Sequence, residues 1–514
     1  MHTSKGARAR TVSPDVSIAR GHRWVLPLIA AGTLLVGCWA AWVYHDAGLT
    51  LSHYDTKGHL VVARRVIDSL TPGWRQFGAL WLPLPHLLNL LPVQVDAWYR
   101  SGASAVALSV ISFVVAAVAV GRLVLSVTGS PVAACFGAAV LALNPDLLYL
   151  QSTPMTEALL IALMVVSLSL TLDWLREQSG RNRRLAGSAL AALCLTRYEA
   201  WPFTAALLLL AFAGLWRHTS TARESARRVA ALALYPGVAL GLFFLQNRVN
   251  VGEWFVASGF FVPDNVDTGN PITAVGSIWW GTHKVVGTPL LAAGMVGVAA
   301  YTVRSLRDRD RARLLPLLAL FAVGALPAYA FYSGHPFRIR YMTPLVPAIA
   351  IYAAAALALL RGHLRQVAAV GMVCAVVLTN NPFALRAPML LEAQWDSGNA
   401  AARRVVTRYL ATHYDGRTIL ASMASLAHFM QESSVAGIQL KDYLHEGNGD
   451  LWEAALANPR PHVGWIVMEE WAEGGDRLAK LARENPDFLR GYRRVAEGGG
   501  VALYRATPAV VSSP

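Results

Sequence analysis

Apolar runs long enough to span a bilayer recur from residue 24 to residue 381, separated by short polar breaks. A helix needs ~20 mostly apolar residues to cross a hydrocarbon core of ~30 Å. Eleven segments carry this pattern: 24–44, 101–127, 131–150, 154–175, 185–196, 201–216, 228–248, 288–303, 314–332, 341–360 and 366–381. The pair within 185–216 is ambiguous by length alone. Its 32 residues would make about 48 Å of helix at ~1.5 Å per residue, long for one crossing and short for two. After residue 381 the period changes. A helix at 399–413, a strand at Arg417–Ser422, a strand at Val463–Met468 and a helix at 474–484 follow one another. Two strands, 491–496 and 501–505, flank Gly498-Gly499-Gly500 as a hairpin. The predicted fold class is a polytopic α-helical membrane protein with about 11 transmembrane helices and a small C-terminal α/β domain. Its parts are a basic tail (1–23), a membrane domain (24–381) holding a large first loop (45–100), and a soluble domain (382–514).

Charge resolves the ambiguous pair and orients the chain. Lys and Arg accumulate in short cytoplasmic loops. With the N-terminus inside and eleven crossings, the inside segments hold 19 Lys/Arg in 61 residues and the short outside segments 9 in 110. A single helix over 185–216 would put Arg181, Arg183 and Arg184 on the side opposite Arg223 and Arg227. Two short helices meeting near Arg197 keep both basic flanks inside. An odd number of crossings then sends the first loop and the C-terminal domain outside. The expected location is a plasma (inner) membrane, with a cytoplasmic N-terminus.

Composition narrows the function classes. The chain has 514 residues, a formal charge of +14, 55% hydrophobic residues and only 15% charged ones. Soluble domains carry roughly a quarter charged residues, so a soluble enzyme and a disordered chain are both excluded. The positive charge lies between apolar runs, which points to membrane lipid and away from nucleic acid. Cys38, Cys135, Cys194 and Cys374 all sit in apolar runs and show neither metal-ligand spacing nor a disulfide framework. Leu35-Val36-Gly37-Cys38 has the form of a lipoprotein cleavage box, but Trp39-Ala40-Ala41-Trp42-Val43 continues the span, so the first helix reads as uncleaved. The chain shows no internal repeat.

The first loop is the richest in chemistry. Leu60, Ala63, Ile67 and Leu70 form one helical stripe, which predicts an amphipathic helix in the membrane interface. Asp55 falls at its N-terminus, where a carboxylate either caps the helix or stands ready as a base. His59 follows one turn later on the same face. Trp81-Leu82-Pro83-Leu84-Pro85-His86-Leu87-Leu88 is too apolar for a free loop and too broken by proline for a span. The predicted topology gathers other polar residues on the same side. Glu157 opens the fourth span. Arg197, Tyr198 and Glu199 form the broken outer turn. His335, Arg338 and Arg340 lie between the ninth and tenth spans, and His86 is a weaker candidate. Ionisable groups near the bilayer are costly, so they tend to be paired and functional. Each also has a plainer reading: a helix cap for Glu157, a structural pair for Arg197 and Glu199, headgroup anchoring for Arg338 and Arg340. Trp279-Trp280 reads as interfacial aromatic belt.

On these residues the chain resembles the polytopic glycosyltransferases of the GT-C class, and among them the family-39-like proteins related to protein O-mannosyltransferases and aminoarabinose transferases. The resemblance rests on the outward first loop with Asp55, on Thr156-Glu157, on Thr196-Arg197-Tyr198-Glu199, and on Arg340-Tyr341-Met342-Thr343-Pro344-Leu345-Val346-Pro347. It covers most of residues 20–380. Many relatives carry an acidic pair in the first loop, where this chain has Asp55-Thr56. The resemblance implies a polyprenyl-phosphate sugar donor and a lipid, glycan or protein acceptor. It also implies an inverting transfer with Asp55 as catalytic base and Arg340, with Arg338, clamping phosphate. His59 and Glu157 would orient Asp55, the sugar or a divalent cation, Arg197 and Glu199 would shape the donor pocket, and Tyr198 and His335 are further substrate-binding candidates, His335 a weaker one like His86. The resemblance assigns no metal ligands. The alternative is a polytopic transporter or lipid-linked sugar flippase without bond cleavage, for which midplane charges and repeated halves would be expected. Reporter fusions test the orientation: a periplasmic-type reporter placed after residue 100 or at the C-terminus is expected to be active, and a cytoplasmic-type reporter at either site inactive.

Overall fold

The computed structural model describes residues 23–77, 80–219, 221–256, 265–472 and 475–507. The basic tail of residues 1–22 lies outside them. All eleven apolar segments are helical. Nine described helices are long and apolar enough to cross a membrane, from α1 (Val25–Asp46) to the helix at Gly362–Thr379. The pair Pro131–Ala142 and Pro145–Gln151, bent by 66° at its break, is together also long and apolar enough, as a broken span or a re-entrant loop. The eleventh segment is shorter than a full span: Gly180–Cys194 has 15 residues, about 22 Å of helix. It starts within the basic stretch Arg181–Arg184 and stops before Arg197, so the break placed there by charge counting is real.

Three breaks on the same side of the bundle expose backbone groups, and side chains satisfy them. Before α2 (Glu157–Glu177), Ser109 Oγ donates to the carbonyls of Thr153 and Met155 at 3.0 and 3.1 Å. At the 195–199 break, Trp201 Nε1 donates to the Cys194 carbonyl at 2.9 Å, and Leu84 N reaches the Leu195 carbonyl at 2.9 Å. The third break is the 3-10 turn Ile339–Leu345 that leads into α3 (Val346–Leu357). Pro344 has no N–H to give the Arg340 carbonyl, as an α-helix would require. The Thr343 hydroxyl takes that carbonyl instead, at 2.7 Å.

The C-terminal domain is α/β. Its five strands are β1 (Ile419–Ala421), β2 (Tyr443–Leu444), β3 (Trp465–Glu469), β4 (Tyr492–Gly498) and β5 (Val501–Ala506), in the order β2-β1-β3-β5-β4. β1 runs parallel to β2 and β3, and β5 antiparallel to β3 and β4. The expected helices and the Gly-rich hairpin are present. The helix Met423–Ser433, the two-residue strand β2 and the helix Asp450–Ala457 are additional to the expected elements.

The first loop differs most from expectation. Its helix, Tyr54–Arg64, stops before Ile67 and Leu70. Nine of its eleven residues are buried. Leu60, Val61 and Ala63 share a core with Phe429, Met430 and Trp465 of the C-terminal domain. Leu60 and Ala63 of the expected stripe are thus buried by protein, whereas Ile67 and Leu70 lie beyond the end of the helix and stay exposed. Gly58 permits the close fit: a Cβ there would come within 2.8 Å of the Trp81 ring. From the other side, Met389, Leu390 and Ala393 of the segment following the last span join the core of the membrane bundle.

Close helix packing within the bundle gives a direct test. Gly297 lies against the backbone of Tyr352 on α3, leaving no room for a Cβ. Gly297→Leu is expected to destabilise the protein by about 1–3 kcal/mol, as overpacking does, and to lower its melting temperature in detergent, while Gly276→Leu, which faces open space, is expected to leave it unchanged.

Candidate active site

The sequence of the first loop places Asp55 at the start of its helix, but the cap is His53. His53 Nδ1 accepts from the Asp55 backbone N–H at 3.1 Å. The Asp55 carboxylate is therefore released from capping and turns to Arg340, which donates to it in a buried ion pair. These two residues lie 285 positions apart in the chain. Burial by itself would raise the Asp55 pKa. The Arg340 guanidinium outweighs that effect, with help from His53 and His59, and holds the carboxyl well below the usual carboxylate range.

A second charged cluster stands beside the first. Glu157 is fully buried at the start of α2, with Arg197 Nη1 at 2.9 Å from its Oε1. Arg197 Nη2 also meets Glu199 Oε1 at 2.7 Å, and Nη1 donates to Thr156 Oγ1 at 3.0 Å. Burial raises the Glu199 pKa, but Arg197 outweighs it and keeps Glu199 ionised. Arg340 acts electrostatically on Arg197 and Glu199, so the two clusters share one field.

His59 Nδ1 meets His86 Nε2 at 3.0 Å, and Trp81 covers the His59 ring at 4.1 Å between centroids. Burial pushes both imidazoles towards the neutral form, His86 down to about 3. A cavity of about 20 Å³ opens beside them, lined by His59, His86, Asn89, Ser109 and Thr156. It is the size of one water molecule.

The remaining candidates sit at the margins. Arg338 is buried and lies over the Trp395 ring at 5.1 Å. His335 meets the Tyr341 hydroxyl at 3.5 Å, and Tyr341 in turn lies under the Arg340 guanidinium at 5.3 Å. Tyr198 points away from the ion pairs, donating to the Leu80 carbonyl at 2.9 Å and packing on Trp201 and Phe255. It ties down the first loop. Among the described residues, no three His, Cys, Asp or Glu groups converge to hold a metal ion.

Two contributors escape sequence reasoning. His53 acts through its ring as a cap, and nothing in its neighbourhood distinguishes it. Glu392, in the helix Pro388–Ala393, accepts from the Ile339 backbone at 2.6 Å and so braces the turn that carries Arg340. Burial raises its pKa, while Arg340 and Arg338 oppose this. The one sequence signal for Glu392 is a lone carboxylate between Leu391 and Ala393.

A many-spanning helical bundle, a buried first-loop helix at one end and an α/β domain upon it define the GT-C fold, which this chain has. The structure is similar to ArnT from Cupriavidus metallidurans bound to undecaprenyl phosphate, at 14% identity and a TM-score of 0.58 over 94% of this chain and 99% of that one. It is also similar to the apo state of the same enzyme, at 15% identity and a TM-score of 0.53 over 92% and 98% of the two chains. No family model and no curated protein matches the sequence.

The ion pair makes a pH-dependent prediction. A carboxyl held low in the folded state stabilises it above the unfolded carboxylate pKa, ~3.9, and that stability is lost as pH falls through the folded value. Arg340→Met leaves burial as the main influence, so the Asp55 pKa rises. The variant is expected to lose on the order of 3–5 kcal/mol at pH 8 and less at pH 5, where Asp55 takes up a proton. Asp55→Asn/Arg340→Met is expected to recover part of the loss, read by thermal unfolding at both pH values.

Proposed function

We propose that this protein is a membrane glycosyltransferase that moves a sugar from a polyprenyl-phosphate carrier to an acceptor hydroxyl on the outer face of the membrane. The observation that carries this reading is the buried Asp55–Arg340 pair, set where the first loop meets the bundle of a GT-C fold. The similarity to a structure that holds undecaprenyl phosphate supports the donor class. A lipid-borne phosphate sits at the membrane interface, and a guanidinium binds phosphate through paired hydrogen bonds.

The Asp55–Arg340 pair holds the base in reserve. A carboxylate pinned to a guanidinium has too low a pKa to be an effective base. The donor phosphate competes for Arg340. As Arg340 turns to the phosphate, Asp55 loses its partner and its pKa climbs under burial. Asp55 then takes the proton from the acceptor hydroxyl. The acceptor oxygen bonds to the anomeric carbon from the side opposite the carrier. The carbon–oxygen bond to phosphate breaks, and its electrons leave with the polyprenyl phosphate, held by Arg340. Attack opposite the leaving group inverts the anomeric centre. Glu157, Arg197 and Glu199 form a rigid polar wall for sugar hydroxyls, and His59 with His86 bounds the pocket as a neutral pair. No step here requires a divalent cation, and a chelator tests its involvement.

The placement of the charged groups favours chemistry over transport. A flippase would pass the headgroup through the bundle, whereas these charges gather at one end of it. The test is incubation with a panel of polyprenyl-phosphate sugars, with and without chelator, scoring both glycosylated product and free polyprenyl phosphate. Release of carrier with transfer is expected from the wild type. Asp55→Asn is expected to lose at least ~10²-fold in kcat while still binding polyprenyl phosphate. Full transfer by that variant would remove Asp55 as base, and movement of intact donor between compartments would favour the transporter.

A further inference from the structure

The helix that bears Asp55 is gripped from two opposite sides. Asp55 and Lys57 are two residues apart, so their side chains leave the helix about 200° from each other. Asp55 meets Arg340 of the membrane bundle. Lys57 faces the other way, and its Nζ lies 2.6 Å from Glu432 Oε1 in the C-terminal domain. Both Lys57 and Glu432 are largely buried, at 9% and 16% side-chain exposure.

Glu432 is itself held firmly. The fully buried Arg403 donates to its two oxygens at 2.9 and 2.8 Å. Arg403 also grips Asp396, at 3.1 and 2.5 Å. His428, one turn before Glu432, faces the same group of charges and stays neutral there, pushed down to about 4 by burial and by Arg403. Buried ion pairs add little net stability over apolar packing, and their use lies in fixing geometry. Here the geometry fixed is the rotation of the Tyr54–Arg64 helix about its own axis.

We propose that Lys57 and Glu432 are positioning residues for the transfer reaction: through this pair the C-terminal domain sets the rotation of the Asp55 helix and thereby aims the base. This rests on the glycosyl-transfer reading above. It makes the C-terminal domain part of the catalytic apparatus without any contact to the reacting atoms. Other ties between loop and domain do not depend on Lys57. Asp68 accepts from the Leu440 and Lys441 backbones at 3.3 and 3.0 Å. Gln76 donates to the Gly447 carbonyl at 2.8 Å. These keep the loop docked when the Lys57 pair is broken, so its removal changes the aim of the helix and leaves the domain in place.

The test uses full-length protein in lipid nanodiscs and the variants Lys57→Met, Lys57→Arg and Glu432→Gln. Lys57→Met and Glu432→Gln are expected to lose roughly 10- to 100-fold in kcat, the scale of a misplaced catalytic group. KM for the polyprenyl-phosphate sugar should stay within about 3-fold, since ground-state binding is untouched. Lys57→Arg should restore most of the rate. Amide hydrogen exchange should quicken across residues 54–64 and stay unchanged across strands β1, β3 and β5. Wild-type kcat in Lys57→Met, or a lost kcat with unaltered exchange at 54–64, overturns the proposal. If Lys57→Met does not fold, Glu432→Gln decides by the same two criteria. If the wild type transfers from no donor, the glycosyl-transfer reading fails, and the exchange measurement still decides whether this pair holds the helix.

Discussion

A carboxylate and a guanidinium brought together out of water set the terms for the rest of this protein. Asp55 and Arg340 come from the first loop and from the start of a late span. Neither can be buried alone without a penalty of several kcal/mol, so each fixes where the other's element must lie. The first-loop helix is drawn under the C-terminal domain and against the bundle. The late span must begin with an irregular turn, since a regular helix through Pro344 would not leave the Arg340 backbone where it is.

In the proposed reaction the same pairing governs reactivity. Asp55 would stay ionised but quiescent until an anion competes for its partner. A phosphate does this well, because it offers a guanidinium more acceptor oxygens than a carboxylate does. The neighbouring Glu157–Arg197–Glu199 cluster is built the same way, with one arginine shared between two carboxylates. The two clusters together hold three carboxylates and two guanidiniums, each charge in contact with an opposite one. The C-terminal domain reaches the same helix from its far side through the Lys57–Glu432 pair.

Much of this was legible in the residue order. The spans, the break near Arg197 and the α/β character of residues 397–506 follow from hydrophobic period and the placement of arginines. The site residues Asp55, His59, Glu157, Arg197, Glu199 and Arg340 stood out because charge is rare among apolar runs, and the structure brings them to one end of the bundle. Tyr198 was drawn into the site by its neighbours in sequence, but its hydroxyl serves the Leu80 carbonyl. His53 and Glu392 stayed hidden because their roles depend on one backbone N–H each, and such a partnership leaves no periodic trace.

What the sequence determined by itself is therefore the list of elements and the scarce polar groups they carry, since both are fixed by local pattern and by the energy of placing charge in lipid. The tertiary structure alone decided which charges meet and what covers the first-loop helix. An apolar stripe is equally satisfied by lipid or by protein, and only the packing of Leu60 and Ala63 against the C-terminal domain decided it for the helix Tyr54–Arg64. The partner of a buried charge is likewise set in three dimensions: the 284 residues between Asp55 and Arg340 hold many arginines, and the fold selects one.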